Sequence, residues 1–379
     1  MKMRKLVIFL ISACMLAGCS QTASASANEN VKTYSNISLD SGFDTFFSLQ
    51  EASASQDAFN EDFTAASELF KHYNDLFDIY NDYDGISNVK TINDNAGIQP
   101  VKVDADIIDM LKLAKSFYDL SDGEFDVTIG ALLKVWHTYR EDGIALNEDG
   151  KLGDVPSQEE LAEAYSHRGW DKVVIDEQAG TVYITDASVS LDVGGIAKGY
   201  ATEKVAQMLE GRNIIAGAVN AGGNNRTIHQ KADGTSWRVG IQNPGSDGSL
   251  LAISKDGTCS FVTSGDYERY YQASDGNTYH HIIDPQTLFP ATHFHSVSVI
   301  TADSGVADCL STTLFTLTYE EGLALIQTYE QQNPGTDIQA VWIMDPDKKV
   351  DTQYGKESGG YFVAYTEGLK DSITWADAS

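Results

Sequence analysis

Lysine and arginine are in short supply in this chain. Its 379 residues carry 26 of them against 55 aspartates and glutamates, a formal net charge of −29. Phosphate backbones are bound by cationic surfaces, so this balance excludes a nucleic-acid partner; the acidity suits a soluble surface protein. Cysteine is also sparse, with four in all. Cys14 and Cys19 fall at the N-terminus, leaving Cys259 and Cys309. These two could pair, but each sits in an apolar or small-residue stretch, and a buried free thiol is the plainer reading. The adjacent His280 and His281 have neither Cys nor Glu at zinc spacing, which excludes a zinc site. No internal repeat occurs, and neither the P-loop nor the dinucleotide fingerprint is present.

The N-terminus holds Lys2, Arg4 and Lys5, then the apolar run Leu6-Val7-Ile8-Phe9-Leu10-Ile11, then Leu16-Ala17-Gly18-Cys19. The run is too short to cross a bilayer as a mature helix, so residues 1–18 read as a secretory signal. Leu-Ala-Gly-Cys is the pattern of bacterial lipoproteins, in which the cysteine is acylated, for example with palmitate. The expectation is a lipid on Cys19 that anchors an extracytoplasmic protein to the cell membrane. Residues 19–35 are rich in Ser, Ala, Thr and Asn without apolar period, as in a flexible spacer. Residues 36–379 exceed the usual size of one core, which allows either one large domain or two closely packed lobes.

Phe59, Phe63, Ala66, Phe70, Tyr73, Phe77 and Tyr80 recur at steps of three and four, one face of a long helix that serves the core. A second helix follows Asp104, and Ser157-Gln158-Glu159-Glu160 is a capping-box signature for a third. From Lys172 the period changes. KVVID and TVYIT flank a turn as a hairpin, and SVSLDV, AGAVNA, WRVGIQ, SFVTSG, YHHIID, SVSVITA, IQAVWIM and YFVAYT read as strands. Helices are expected at about 197–210, 305–317 and 320–331. A helix-rich N-terminal part before a strand-rich C-terminal two thirds predicts an α+β fold.

Four constellations carry chemistry. Leu191-Asp192-Val193-Gly194-Gly195-Ile196-Ala197-Lys198 reads as an apolar strand ending in a Gly pair that opens a helix. Such a junction aims backbone N–H groups and a positive dipole end at an anion, and Lys198 adds a full charge. A Gly pair at a tight turn is the equally simple alternative. Asn220-Ala221-Gly222-Gly223-Asn224 is a second such loop. Asp308 and Thr312, four apart on a helix, share one face and offer two hard oxygens. Magnesium is commonly held by few protein ligands plus substrate phosphates. By spacing alone, a solvated Asp beside a Thr that bonds back to its own helix is the simpler reading. In Tyr279-His280-His281-Ile282-Ile283-Asp284-Pro285, strand geometry sends the two histidines to opposite faces, and one could shuttle a proton.

The order and wording of these segments resemble the ApbE family, the FAD:protein FMN transferases. The matching stretches are Phe125-Asp126-Val127-Thr128-Ile129-Gly130-Ala131-Leu132, LDVGGIAKGYA, VNAGGN, VTSGDYERYY, YHHIIDP and ADCLSTTLF, from about residue 43 to the end. The resemblance implies an ApbE-like, T-fold-related α+β architecture. It also implies a reaction: FAD binds with magnesium at its pyrophosphate, a Ser or Thr hydroxyl of a target protein attacks the FMN phosphorus, and AMP leaves. Carried over by motif, the metal ligands are the Gly195 carbonyl and the side chains of Asp308 and Thr312. Asp192 and Lys198 become flavin-nucleotide contacts, Asp126 an isoalloxazine contact, and His281 the catalytic histidine. His281 or Asp308 could take the acceptor's proton. Two departures stand out. Phe43-Asp44-Thr45 replaces the family's Met-Gly-Thr, and Gln286-Thr287-Leu288 replaces Lys-Thr-Gly after Asp284-Pro285. The chain shows no Ser-Gly-Ala-Thr acceptor sequence, so the expected partner is another exported or membrane flavoprotein. Hydrolysis of FAD to FMN and AMP, and storage of FAD by a non-enzymatic surface lipoprotein, are the alternative functions.

Overall fold

A computed structural model describes residues 31–376. The leader, Cys19 and most of the expected spacer lie outside the described residues.

Nine strands form the central sheet, in the order Lys32–Ser38, Phe47–Ser53, Ala216–Ala221, Asn224–Ile228, Cys259–Gly265, Ser296–Thr301, Gln339–Met344, Tyr361–Tyr365 and Gly355–Ser358. Every neighbouring pair is antiparallel. Residues 32–35, read from sequence as the end of the spacer, lie in the first strand, which is the sheet's edge.

The middle of the sheet is covered on both faces, which is why its strands read as unbroken apolar runs. In Gln339–Met344, Ala340, Trp342 and Met344 join the larger core cluster, while Val341 and Ile343 join a second cluster on the opposite face. The first face packs under helices Gln56–Phe77, Ala197–Gly211 and Ser304–Thr316. The second is covered by a three-stranded sheet ordered Ile373–Trp375, Ser249–Lys255 and Trp237–Gln242, through Ile241, Leu251 and Ile253. The architecture is α+β.

The helix at Gln56–Phe77 starts on Ser55, whose side chain accepts from the Ala58 N–H, and buries Phe59, Ala66, Phe70, Tyr73 and Phe77. Tyr80 does not continue this face. The Asp78 carboxylate accepts from the N–H groups of Tyr80 at 2.6 Å and Asn81 at 3.1 Å, ending the helix in a side-chain turn. Tyr80 is consequently 55% exposed.

The expected helix after Asp104 runs Ala105–Leu120, with Asp104 as its cap. Ser157 caps Gln158–Ser166, but the capping box is not closed, because the Glu160 carboxylate accepts from the Tyr139 hydroxyl at 3.0 Å instead. The hairpin Val173–Asp176 with Thr181–Ile184 forms as expected. Cys259 and Cys309 are buried and free.

Two expected strands differ. The YHHIID strand stops at His280, leaving Thr278–His280. SVSLDV makes a single bridge, Ser190 with Ile129, and is otherwise unpaired. Its backbone is used elsewhere: Leu191 exchanges two hydrogen bonds with the Asn93 side chain, and the Asp192 N–H donates to the Val127 carbonyl at 2.8 Å. One long helix, Gly130–Glu148, falls where no element was expected.

Candidate active site

The site is built where two helices meet end to side. Helix Ala197–Gly211 has no side-chain cap of its own. Its Gly199 N–H, one of the donors a helix start leaves unpaired, donates to Asp308 Oδ2 at 2.7 Å. In return, Glu203 of that helix accepts from the Ser304 N–H at 2.9 Å, at the start of the helix that carries Asp308. The two helices thus cap each other, and negative charge at both N-termini is favourable. Glu203 is held in place by buried Arg226, at 2.8 Å from Nε and 3.0 Å from Nη2.

This crossing leaves no space at Gly199. A Cβ there would lie 2.3 Å from the Ser304 carbonyl oxygen and 2.4 Å from Asp308 Cβ. Gly195 packs on Thr312, where an added Cβ would lie 3.4 Å from Cγ2 and 3.5 Å from Oγ1. Thr313 turns its hydroxyl back to the Cys309 carbonyl at 2.7 Å, whereas the Thr312 hydroxyl makes no such bond among the described residues. The simpler reading of Asp308 and Thr312 therefore fails on both counts: Asp308 is 3% exposed rather than solvated, and Thr312 is not spent on its own helix.

Asp308 and Thr312 offer hard oxygens here beside the Gly195 backbone, with a single carboxylate among them. Among the described residues no group of three or more His, Cys, Asp or Glu could hold a metal. A donor set of this kind fits a hard cation that completes its shell with substrate oxygens and water.

Around these oxygens stand cations. Lys198 Nζ lies 3.4 Å from Asn224 Oδ1, tying the GGIAKG junction to the VNAGGN loop. Burial pushes the Asp308 carboxyl up from its ordinary value, opposed by Lys198, the Gly199 N–H and Asn224. Asp192 accepts from the Gly194 N–H at 2.9 Å; burial raises it too, opposed by that bond and by His137, Arg140 and Arg269. Burial holds His281 well below the ordinary imidazole range, helped by Arg269, His280, Arg140 and Lys198. The imidazole is neutral at pH 7, and its buried Nδ1 has no partner among the described residues. Asp126 sits one segment away, accepting from the Thr128 N–H and hydroxyl at 2.8 and 2.7 Å, and burial raises its carboxyl.

Sequence reasoning missed one whole wall. Arg140 Nη2 lies 2.9 Å from His137 Nδ1, and the exposed Tyr80 ring stacks on His137 at 4.9 Å between centroids. Arg269 reaches across to donate to the Phe43 carbonyl at 3.3 Å. The signal available was scarcity alone, since cations are few in so acidic a chain; Arg140 also has the Glu141 carboxylate at 3.7 Å.

The two departures acquire a structural account. Phe43 and Asp44 both take positive φ, 54° and 51°, and Phe43 donates its N–H to Asn74 Oδ1 at 2.6 Å. Thr45 then lies against the second glycine loop, where a Cβ on Gly222 would fall 2.2 Å from its hydroxyl. Leu288 adopts φ 66°, a conformation favouring glycine. Its buried side chain and the 2.8 Å bond from Trp136 Nε1 to its carbonyl hold it there.

An α+β body in which two mutually capped helices bring oxygen donors near a cationic wall suits an enzyme for phosphate-bearing substrates. The sequence profile of the ApbE family matches residues 43–335, and the chain belongs to that family. It is 35% identical over 288 residues to an FAD:protein FMN transferase of Treponema pallidum, covering 71% of this chain and 74% of the relative. A Klebsiella pneumoniae protein of the same name is 31% identical over 280 residues, covering 73% and 80%. Among solved structures, the ApbE protein of Thermotoga maritima superposes with a TM-score of 0.67 at 33% identity, covering 82% of this chain and 94% of that one. The flavin transferase ApbE of Vibrio cholerae, at 24% identity, shares the fold with a TM-score of 0.69 over 90% and 99%.

Proposed function

We propose that this protein is an FAD:protein FMN transferase, moving FMN from FAD to a Ser or Thr hydroxyl of another exported protein. The observation that carries this reading is the convergence of Gly195, Lys198, Asp308 and Thr312 at one helix crossing, facing a wall of arginine and histidine. Gly195, Asp308 and Thr312 would hold magnesium, which when bound neutralises and orients the pyrophosphate oxygens.

The remaining work falls to side chains. Lys198, Arg140 and Arg269 offset the charge of the phosphates, which phosphoryl transfer needs more than covalent help. Exposed Tyr80 offers a ring face to a planar group. The acceptor oxygen bonds to the FMN phosphorus, the bond from that phosphorus to the bridging oxygen breaks, and AMP leaves with that oxygen. The hydroxyl proton passes to neutral His281, which burial, helped by the surrounding cations, keeps free of a proton beforehand.

The test is to incubate the soluble chain with FAD, magnesium and an acceptor domain, then weigh the acceptor by mass spectrometry. A mass increase of one FMN less one water is expected. Free FMN alone would assign hydrolysis instead, and unchanged FAD would assign storage.

The signal pattern ending at Cys19 supports a lipid-anchored, extracytoplasmic enzyme. Cys19→Ser is expected to move the protein from the membrane fraction to the soluble one without changing transfer in solution. Continued membrane association of that variant overturns the anchor.

A further inference from the structure

His295 stands outside the site, in the wall of a cavity of about 380 Å³ that His280, His293 and Lys348 also line. Its Nδ1 lies 2.7 Å from Asp266 Oδ2 and its Nε2 3.0 Å from Asp345 Oδ1. With a carboxylate at each ring nitrogen, only the imidazolium can donate to both. The backbone repeats the connection: the Asp266 N–H donates to the His295 carbonyl at 3.0 Å, and the His295 N–H to the Ile343 carbonyl at 2.8 Å.

Asp266 begins the segment that reaches the site. Two residues before it, Ser264 Oγ lies 2.9 Å from Ser311 Oγ, on the helix of Asp308 and Thr312. Beyond it, Arg269 reaches the Phe43 carbonyl and faces His281 and Asp192. Segment Ser264–Arg269 is thus pinned at Ser311, His295 and Phe43. At the middle pin the side-chain bridge depends on the His295 charge, whereas the backbone bond beside it does not.

We propose that His295 is a positioning residue: its charged bridge between Asp266 and Asp345 holds the Ser264–Arg269 segment so that Arg269 stays in the nucleotide site. The link to nucleotide binding rests on the function proposed above; the clamp itself does not.

The groups facing His295 set its behaviour. Asp266 raises it first and Asp345 adds to this, against the cost of burial, bringing it to about 8. Lys348, 3.4 Å from Asp345, competes for that carboxylate, and the His295 charge adds a little to the burial that lowers His280. His293 lies in the same cavity wall, Glu268 follows on the clamped segment, and the Tyr361 ring packs edge-on at 5.2 Å. Because the folded value lies above the unfolded value of about 6.5, the clamp's contribution is complete below about pH 6.5 and is lost as pH rises through about 8.

The test uses the soluble folded chain. NMR titration of His295 is expected to give a midpoint near 8, and Asp345→Asn to lower it while leaving the Asp266 contact. His295→Asn is expected to speed hydrogen exchange at the Tyr267, Glu268 and Arg269 amides at pH 7, a readout that needs no FAD. With FAD and magnesium, KM for FAD in the parent should rise about fivefold between pH 7 and 9. His295→Asn should already show that rise at pH 7, with kcat within about twofold. A His295 midpoint at or below 6.5, or unchanged exchange in His295→Asn, overturns the clamp. Faster exchange with unchanged FAD affinity overturns its link to the site. Absence of FAD binding by the parent sinks the function proposed above, while the exchange result still decides the clamp.

Discussion

His281 and His295 are the same side chain in opposite surroundings. Around His281 stand Arg140, Arg269 and Lys198, and burial with these charges strips the proton from the ring. Around His295 two carboxylates hold the proton on, to about pH 8. A chain with 26 cations among 379 residues has placed three of them beside one histidine and surrounded the other with its abundant acid. The charges around each ring thus decide whether an imidazole is held neutral or held as a cation.

The largest effect is expected at Asp308, the acid that keeps the cationic side of this contrast productive. Asp308→Ala should abolish FMN transfer in added magnesium. Asp308→Asn keeps an oxygen for the Gly199 N–H and should lower transfer by at least about 10³-fold with little change in thermal midpoint. Full activity in either variant rejects the metal assignment.

His281→Asn comes next, with kcat about 10²-fold down. Since the folded protein declines a proton that the unfolded chain accepts near pH 6.5, parent stability should fall as pH drops below that value. In His281→Asn this component of the acid dependence should vanish; an unchanged denaturation profile would show that His281 is not held neutral.

The smallest effect concerns Arg140. Arg140→Gln should raise KM for FAD about tenfold and move the His281 titration upward, narrowing the gap between the two histidines. NMR titration that finds His281 unmoved would place the arginine outside its field.

Sequence alone carried much of this architecture. Strands buried on both faces, such as Gln339–Met344, announce themselves as apolar runs, and the long helix at Gln56–Phe77 by its period. Lys32–Ser38 did not, because an exposed edge strand of polar residues has the composition of a spacer. Helix Gly130–Glu148 was hidden for another reason: glycines Gly130 and Gly143 occupy half of its four buried positions, so it shows no apolar stripe. The same cause hid its arginine. Gly195, Lys198, Asp308 and Thr312 lie in short strings that carry their own chemistry, whereas Tyr80, His137 and Arg140 meet only after a helix stop at Asp78 and a helix without a capping side chain. Whether a neighbourhood of cations forms is a property of folding that no local spacing encodes.

The two buried cysteines have a practical side. Cys259 is pushed up to about 11, and burial beside Asp308 lifts Cys309 well above the ordinary thiol range. Oxidants and alkylating reagents attack the thiolate, so both sulfurs are chemically silent at neutral pH. A soluble chain starting after Cys19 is therefore ready for single-site spectroscopy. One engineered cysteine on the Tyr267–Arg269 segment would take a spin or fluorescent label with no native thiol to compete, and no reductant would be needed to keep the protein intact in air.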